Sequence, residues 1–349
     1  MADQTPGNAN GTGRGPMVAP PLSNGRERFT SRELDEVLGH YELGEVSAVR
    51  EVALGTPISP KATVQCARGR MLLKRRARGV DAPGIVAFSH RLALGCLERG
   101  VCVPPLVGTR GQNNSMVQLD DRVYELFVFI EGTPDPKSPA SSERSGALLG
   151  ELHTVFDRLA AADATLIGDA PREPAVIDPA RADRTALDAE IAGVVRGVLE
   201  RSAAFAGHAS ESGLSPEPSL VHGDWHPGNV IYRADEPVSV CDFDNARIGS
   251  RARELAQGLA QFSLLRGQPG EPPARWRGEA DLNRLAAHWR GYASSAPARL
   301  DPGRVVGLMP GVLMEEALGS SNPEIVWAVL RKAQWLEDHA GEVRSAITP

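Results

Sequence analysis

The rhythm of hydrophobic and polar positions changes several times along this chain, and each change marks an element. Residues 1–27 show no apolar period and hold five Gly and four Pro. Such a segment cannot bury enough apolar surface to offset its ordering entropy, so it reads as a disordered tail. Order is expected near Phe29, where Thr30 or Ser31 caps a short helix over Arg32–Leu38 with Glu33 as capping-box partner. Short runs of β-branched and apolar residues between Gly and Pro breaks then predict strands over Ala48–Leu54, Ala62–Ala67 and Met71–Lys74. Pro83–Arg99 breaks the series: Ile85, Val86, Phe88, Leu92 and Leu97 recur at near-helical spacing, and Gly100 ends the run. Two further strands are expected over Ser115–Leu119 and Val123–Ile130.

The stretch Glu131–Pro139 (EGTPDPKSP) reads as a linker. Beyond it the period is helical over Ser142–Leu159, Arg184–Phe205, Arg251–Leu265, Leu282–Ser294, Val305–Leu318 and Pro323–Ala346. One interruption holds three small strands, Leu220–Val221, Val230–Tyr232 and Val238–Cys241. The fold class is therefore α+β: an antiparallel sheet region with one helix, followed by a larger helical region.

Composition narrows the function classes. Apolar residues make up 42% and charged residues 23% of the 349, the balance of an ordinary globular protein. The net charge of −6 argues against a nucleic-acid coat, which needs clustered excess Lys and Arg, so no nucleic-acid partner is expected. No apolar run approaches the ~18 residues that would span a bilayer, and the N-terminus has no basic-then-apolar signal pattern, so no membrane partner is expected either. Cys66, Cys96, Cys102 and Cys241 form no C-x-x-C pair; they read as small buried residues in a reducing compartment, which places the protein in the cytoplasm. The sequence is silent on oligomeric state.

The chemistry is concentrated in Val221–Asn245, VHGDWHPGNVIYRADEPVSVCDFDN. A His-Gly pair alone means nothing in a chain so rich in Gly. Requiring Asp next and Asn five positions later lowers the chance expectation to roughly 0.001. A further acid, Asp242, follows an apolar run. The pattern H-x-D-x-x-x-x-N, then a strand ending in Asp, brings three oxygen-bearing side chains to one point. Phosphoryl transfer asks for that arrangement, because most of its catalysis is positioning and charge neutralisation. Asp224 would accept or orient the proton of an attacking hydroxyl. Asn229 and Asp242 offer hard oxygen ligands to Mg2+, which takes few protein groups and leaves the rest to phosphate and water. Asp244 would reach a second metal or hold the loop.

His222-Gly223-Asp224-Trp225-His226-Pro227-Gly228-Asn229 and Cys241-Asp242-Phe243-Asp244 resemble the catalytic loop and metal-binding segment of the aminoglycoside phosphotransferase-like family of small-molecule kinases. That group has the protein-kinase-like fold and includes type II homoserine kinases, choline kinases and spore-coat kinase-like proteins. Gly146–His153 (GALLGELH) and Gly249–Ala256 (GSRARELA) are similar to two further family segments. The resemblance implies a bilobal arrangement: an N-lobe over 28–123 that binds nucleotide, a hinge over 124–132 and a helical C-lobe over 133–349 with the catalytic loop at 221–245. It implies ATP and Mg2+ as cofactors and a hydroxyl-bearing small molecule as partner. It puts the base role on Asp224 and the metal roles on Asn229 and Asp242, with His222 and His226 bracing the loop. Gly223 stands where regulated protein kinases carry an Arg, and Asp244 where they carry Gly, which points to a constitutive enzyme.

The same resemblance calls for a cation on the nucleotide phosphates from the third strand, and Lys74 fits. Lys occurs only at 61, 74, 137 and 332 in a chain that otherwise uses Arg, and a compact ammonium suits phosphate as a point charge. The bland alternative for Lys74 is a solvated residue on an exposed strand edge beside Arg75 and Arg76. Two departures stand out. Leu54–Lys61 (LGTPISPK), in the place of the glycine-rich loop, has one Gly and two Pro. The helix Pro83–Arg99 carries His90 where the family has the Glu that pairs with the lysine, so Glu98, another acid, or the nucleotide alone must hold Lys74. Tyr124–Gly132 (YELFVFIEG) resembles the adenine-binding hinge. His153 reads as a structural histidine, Trp289, Trp327 and Trp335 as core, and Trp225 as lining the substrate cleft. Two other readings remain open at this level: a non-catalytic nucleotide-binding pseudokinase, and a metal-dependent hydrolase built on His222, Asp224 and His226.

Overall fold

The computed structural model describes residues 25–173, 177–184, 187–206, 218–265, 271–320 and 322–348. Most of the segment expected to be disordered, 1–24, thus lies outside the described residues. Order begins earlier than Phe29. The Arg26 guanidinium donates to the carbonyls of Gly55 and Thr56, at 2.7 and 3.2 Å, and the Glu27 N–H donates to the Pro57 carbonyl at 2.9 Å. Hydrogen bonds to carbonyls anchor a stretch whose lack of apolar period made it read as tail. Compactness divides the chain into two units, one of residues up to 81 plus 106–129, the other of 82–105 plus 130 onward.

The first unit opens with α1 (Ser31–Gly39), which starts as its sequence dictates: the Thr30 side chain accepts from the Glu33 N–H, and the Glu33 carboxylate accepts from the Thr30 N–H. Five strands follow, β1 (Val46–Val52), β2 (Lys61–Cys66), β3 (Gly69–Arg75), β4 (Val117–Leu119) and β5 (Arg122–Val128). They form one antiparallel sheet in the order β1-β2-β3-β5-β4. Strand side chains alternate between faces. Val49, Ala62, Val64, Met71, Leu73, Tyr124 and Leu126 fall on the face that closes a core with Leu34 and Val37 of α1. The opposite face receives Lys61, Lys74 and Glu125.

The second unit is mostly helical: α2 (Pro83–Glu98), α3 (Pro139–Ala162), α4 (Ala164–Asp169), α5 (Ala189–Ala206), α6 (Arg251–Phe262), α7 (Leu282–Ser295), α8 (Pro302–Ala317), α9 (Pro323–Asp338) and α10 (Ala340–Ile347). One continuous apolar core runs through it; Phe88 and Leu92 of α2 join Leu152 and Phe156 of α3 there. The sequence reading needs three corrections. The single helix expected over Pro323–Ala346 turns at His339, whose Nδ1 lies 2.9 Å from the Trp335 carbonyl. Trp327 is not core but 44% exposed, while Trp289 and Trp335 pack at the edge of the core. Cys66 and Cys96 are buried as expected, whereas Cys102 is exposed and Cys241 half-buried; all four are free thiols. Among the described residues no helix is long and apolar enough to cross a membrane.

Candidate active site

Four short strands frame the loop that carries the chemistry. β6 (Ser219–Val221) pairs with β9 (Arg247–Gly249), and β7 (Val230–Arg233) pairs with β8 (Glu236–Val240), both antiparallel. Residues 222–229 therefore leave β6 and enter β7, while 241–246 leave β8 and enter β9. The pairings Val221–Arg247 and Val230–Val240 close the ends of the two segments and hold them side by side. The Cys241 N–H donates to the Asn229 carbonyl at 2.9 Å. His222 Nε2 donates to the Cys241 carbonyl at 3.0 Å. Asn229 Nδ2 donates to both the Asp224 carbonyl, 2.9 Å, and Asp224 Oδ2, 3.2 Å. Asp242 follows at once in a left-handed conformation, φ 67° and ψ 63°, which Asp tolerates better than most residues. Asp224, Asn229 and Asp242 thus gather in one place within the second unit, and Asp224 feels the charge of Asp242. Asp244 stands in the 3-10 turn Phe243–Asn245 beside them.

A buried carboxylate supports this loop from below. Glu254, in the first turn of α6, accepts the backbone N–H groups of His222 and Gly223, at 3.2 and 2.5 Å, and pairs with His153 Nε2 at 2.7 Å. His153 Nδ1 lies 3.0 Å from the Tyr292 hydroxyl. Burial pushes the imidazole below its usual range. A neutral ring donating from Nε2 and accepting at Nδ1 satisfies every group. Burial also opposes the Glu254 charge, but the His153 bond and the loop N–H groups win and hold it below the ordinary carboxylate range. Gly223 has a steric reason to be glycine. Its φ is +80°, and a Cβ would lie 2.0 Å from the Asn245 carbonyl oxygen. The Trp225 expectation is overturned. The indole is 0% exposed, 6.4 Å from the Phe262 ring and edge-on to His222, so it is core under the loop and not a cleft wall.

Asp224 and His226 set the local electrostatics. Their side chains lie 3.6 Å apart (Oδ2 to Nε2) and are each 29% exposed. Burial works to raise the Asp224 pKa, yet the His226 hydrogen bond and charge bring it below the usual carboxylate value. Burial likewise works to lower that of His226, but Asp224 raises it above an ordinary imidazole. Asp224 is therefore ionised at neutral pH, as a proton acceptor must be. In the neutral form of the ring His226 Nδ1 accepts from the Gly228 N–H at 3.0 Å and Nε2 carries the proton on the Asp224 side, so the ring braces the loop. The H-x-D-x-H string does not assemble a metal cluster, since His222 spends its Nε2 on the Cys241 carbonyl. Among the described residues no group of three or more His, Cys, Asp or Glu side chains converges on a cation site. A magnesium ion held by nucleotide phosphates asks for less. With the Asn229 amide nitrogen committed to Asp224, its oxygen remains as a hard donor next to Asp242, and this pair fits the ion.

In the first unit, Lys74 sits on β3 opposite Glu125 of β5, with Nζ 4.0 Å from Oε2. Glu125 is gripped in bidentate fashion by Arg76, at 2.9 and 2.8 Å. An acid beside Lys74 thus comes from the sheet. Glu98 is exposed at the end of α2 beside Arg99, and His90 is buried on the same helix. Sequence reasoning missed Glu125 and Glu254. The first owes its place to strand register and lay inside the hinge-like segment Tyr124–Gly132, the second inside the similar segment Gly249–Ala256, and neither was given a role.

A small antiparallel-sheet unit, followed by a helical one whose paired hairpins carry H-x-D-x-x-x-x-N and a later Asp, defines the protein-kinase-like class. The chain belongs to the phosphotransferase enzyme family, whose model matches residues 61–302, and by that membership it is a small-molecule phosphotransferase with a hydroxyl acceptor. It is 25% identical over 266 residues, 76% of this chain and 77% of the other, to a homoserine kinase of Methylocella silvestris. Among solved structures its fold matches an amicoumacin kinase in complex with AMP-PNP, Ca2+ and Ami, with a TM-score of 0.62 and 14% identity over 89% of this chain and 94% of that one. It also matches the microcompartment-associated aminopropanol kinase, again at TM-score 0.62 and 14% identity, over 91% of this chain and all of the other. Neither the pseudokinase nor the hydrolase reading finds support among these relatives.

Proposed function

We propose that the protein transfers the γ-phosphoryl group of ATP, with Mg2+, to the hydroxyl of a small metabolite, and that Asp224 is its catalytic base. The observation that carries the reading is the double hydrogen bond from Asn229 to Asp224, which fixes the carboxylate beside the Asn229–Asp242 oxygen pair. The acceptor oxygen attacks the γ-phosphorus, its proton passes to Asp224, and the bond to the bridging oxygen breaks to release ADP. The bound Mg2+ supplies charge neutralisation on the phosphates. Asn229 and Asp242 hold that ion, Lys74 pairs with the α/β phosphates, and Tyr124–Gly132 presents backbone groups to the adenine edge. The free cysteines suit a cytoplasmic enzyme. One relative is named a homoserine kinase and one structural neighbour an aminopropanol kinase, so small acceptors that carry both an amine and a hydroxyl head the panel to be screened by ADP release.

The test is Asp224→Asn. Binding of AMP-PNP is expected to survive while kcat falls by about 10²–10⁴, the usual worth of a positioned base. Unchanged turnover removes Asp224 from the mechanism.

A further inference from the structure

Gly223 stands directly before Asp224 in the chain, and both of its backbone polar groups are taken. Its N–H donates to Glu254, and its carbonyl accepts from Arg247 Nη1 at 2.9 Å. The same nitrogen donates to the Asn245 carbonyl at 2.8 Å. One guanidinium nitrogen, with its two hydrogens, therefore joins the segment of Asp224 to the segment of Asp242. The bonds from Cys241 to Asn229 and from His222 to Cys241 tie these segments ahead of Asp242, and Arg247 ties them behind it. The Gly223 carbonyl and the Asp224 N–H belong to one planar peptide unit, so fixing that oxygen fixes the plane from which Asp224 departs.

The surroundings are shaped for this contact. A Cβ on Gly223 would lie 2.2 Å from Arg247 Nη1, so a side chain there would push the guanidinium off both carbonyls. The far side of the fork is held by Glu173, whose side chain is 7% exposed. Its Oε1 accepts from Arg247 Nη2 at 2.8 Å and pairs with Arg253 Nε at 3.0 Å. A Cβ on Gly249 would lie 2.6 Å from Glu173 Oε2, so this glycine makes room for the carboxylate. The segment that carries Glu173 is laid along β9 by its backbone. The Ile248 N–H donates to the Pro171 carbonyl and the Glu173 N–H to the Ile248 carbonyl, each at 2.8 Å. A planar fork oriented in advance loses little freedom when it binds. A solvated surface arginine needs neither the anchor nor the glycines.

We propose that Arg247 is a positioning residue for phosphoryl transfer: oriented by Glu173, it fastens the backbone before Asp224 to the backbone after Asp242 and so sets the base against the metal-holding oxygens. This rests on the kinase reading above. A small misplacement of a reacting group costs up to about a hundredfold in rate, so loss of Arg247 is expected to lower kcat roughly tenfold to a hundredfold with nucleotide affinity unchanged.

The experiment is steady-state ADP release by the full chain with Mg–ATP and the best acceptor of the amine-and-hydroxyl panel. Rates are expressed per site that binds Mg–AMP-PNP in calorimetric titration, so that unfolded protein does not count. Arg247→Met is expected to show the fall in kcat at wild-type Kd for AMP-PNP. Arg247→Lys keeps a charge for Glu173 but lacks the planar fork, and is expected to regain only part of the rate. Glu173→Gln is expected to lower kcat several-fold by itself and far less in the Arg247→Met background, since both changes act through one guanidinium. Amide hydrogen exchange over 222–229 and 241–247 is expected to quicken in Arg247→Met and to keep its wild-type rate elsewhere. Wild-type kcat per binding site in Arg247→Met overturns the proposal, even where exchange quickens, as does a full Glu173→Gln effect in that background. Should Arg247→Met not fold, wild-type kcat in Arg247→Lys overturns it equally. Asp224→Asn keeps the two levels apart. If its turnover falls while Arg247→Met is silent, only Arg247 loses its role; if Asp224→Asn keeps full turnover, the kinase reading itself fails.

Discussion

The loop around Asp224 and the charged face of the sheet hold their polar groups by different means. Around Asp224 the work is done by hydrogen bonds to backbone: Glu254 takes two loop N–H groups, His222 returns to the Cys241 carbonyl, and Asn229 clasps the Asp224 carbonyl. Around Lys74 it is done by side-chain charges on three strands, with the Arg76–Glu125 pair as its fixed point. Backbone-anchored groups keep their positions whether or not ligand is present, so damage there should appear in kcat. On the proposed reading Lys74 meets the nucleotide phosphates, so damage there should appear in affinity.

Glu254→Gln tests the first half most severely. The glutamine has one acceptor oxygen, and its NH2 would face groups that are themselves donors. Loss of charge-assisted bonds to two loop N–H groups and to His153 is expected to cost about 2–4 kcal/mol of stability. It should lower kcat in the part of the population that stays folded, with the KM for ATP nearly unchanged. Denaturant unfolding and kinetics on the same preparation check it. A variant that loses nucleotide affinity while keeping kcat would erase the distinction between the two regions.

That distinction also governs what was legible in the sequence. Asp224 and Asn229 lie five residues apart and are fixed by local backbone geometry, so their spacing could be read directly. Asp242 follows at the far end of a hairpin whose strand pattern was itself recognisable. Thr30 and Glu33 were readable for the same reason, since a capping box is a contact across three positions. Glu125 and Lys61 belong to a row set by strand register, which depends on how every strand packs and leaves no short-range signature. Arg26 and Glu27 were misread because polar contacts, not apolar period, hold them: Arg26 donates to the Gly55 and Thr56 carbonyls, and Glu27 pairs with Arg75 and Arg122. Trp225 was misread because a motif of polar and glycine residues gives no sign that one of its members turns inward.

A smaller effect is expected at His226. With Asp224 as the proposed base, activity is expected to rise as pH climbs through its pKa, which His226 lowers against the opposing pull of burial. His226→Gln removes that charge, so the Asp224 pKa rises and the acidic limb of the kcat/KM profile moves to higher pH. The wild-type pair weakens as pH rises through the raised His226 pKa and the ring loses its proton, a feature the variant should lack. The nucleotide binding proposed for Lys74 should not share either shift. An acidic limb that stays in place would show that His226 does not tune the base.

The smallest effect belongs to Trp225, and it sharpens the comparison by separating support from contact. The indole is fully buried, and its Nε1 has no hydrogen-bond partner among the described residues. An unsatisfied buried donor costs about 1–3 kcal/mol. Trp225→Phe removes that donor but gives up buried ring area and leaves a small void, a loss of similar size and opposite sign. The net change in unfolding free energy is expected to stay within about 1 kcal/mol. The Gly258 backbone beneath the indole, where a Cβ would stand 2.8 Å from Trp225 Cδ1, gains room it does not need. Because the ring faces Phe262 and His222 and not solvent, the KM values for acceptor and nucleotide should both hold. A rise in acceptor KM alone, at unchanged stability, would return Trp225 to the substrate cleft and mean that the loop recognises its acceptor as well as holding its base.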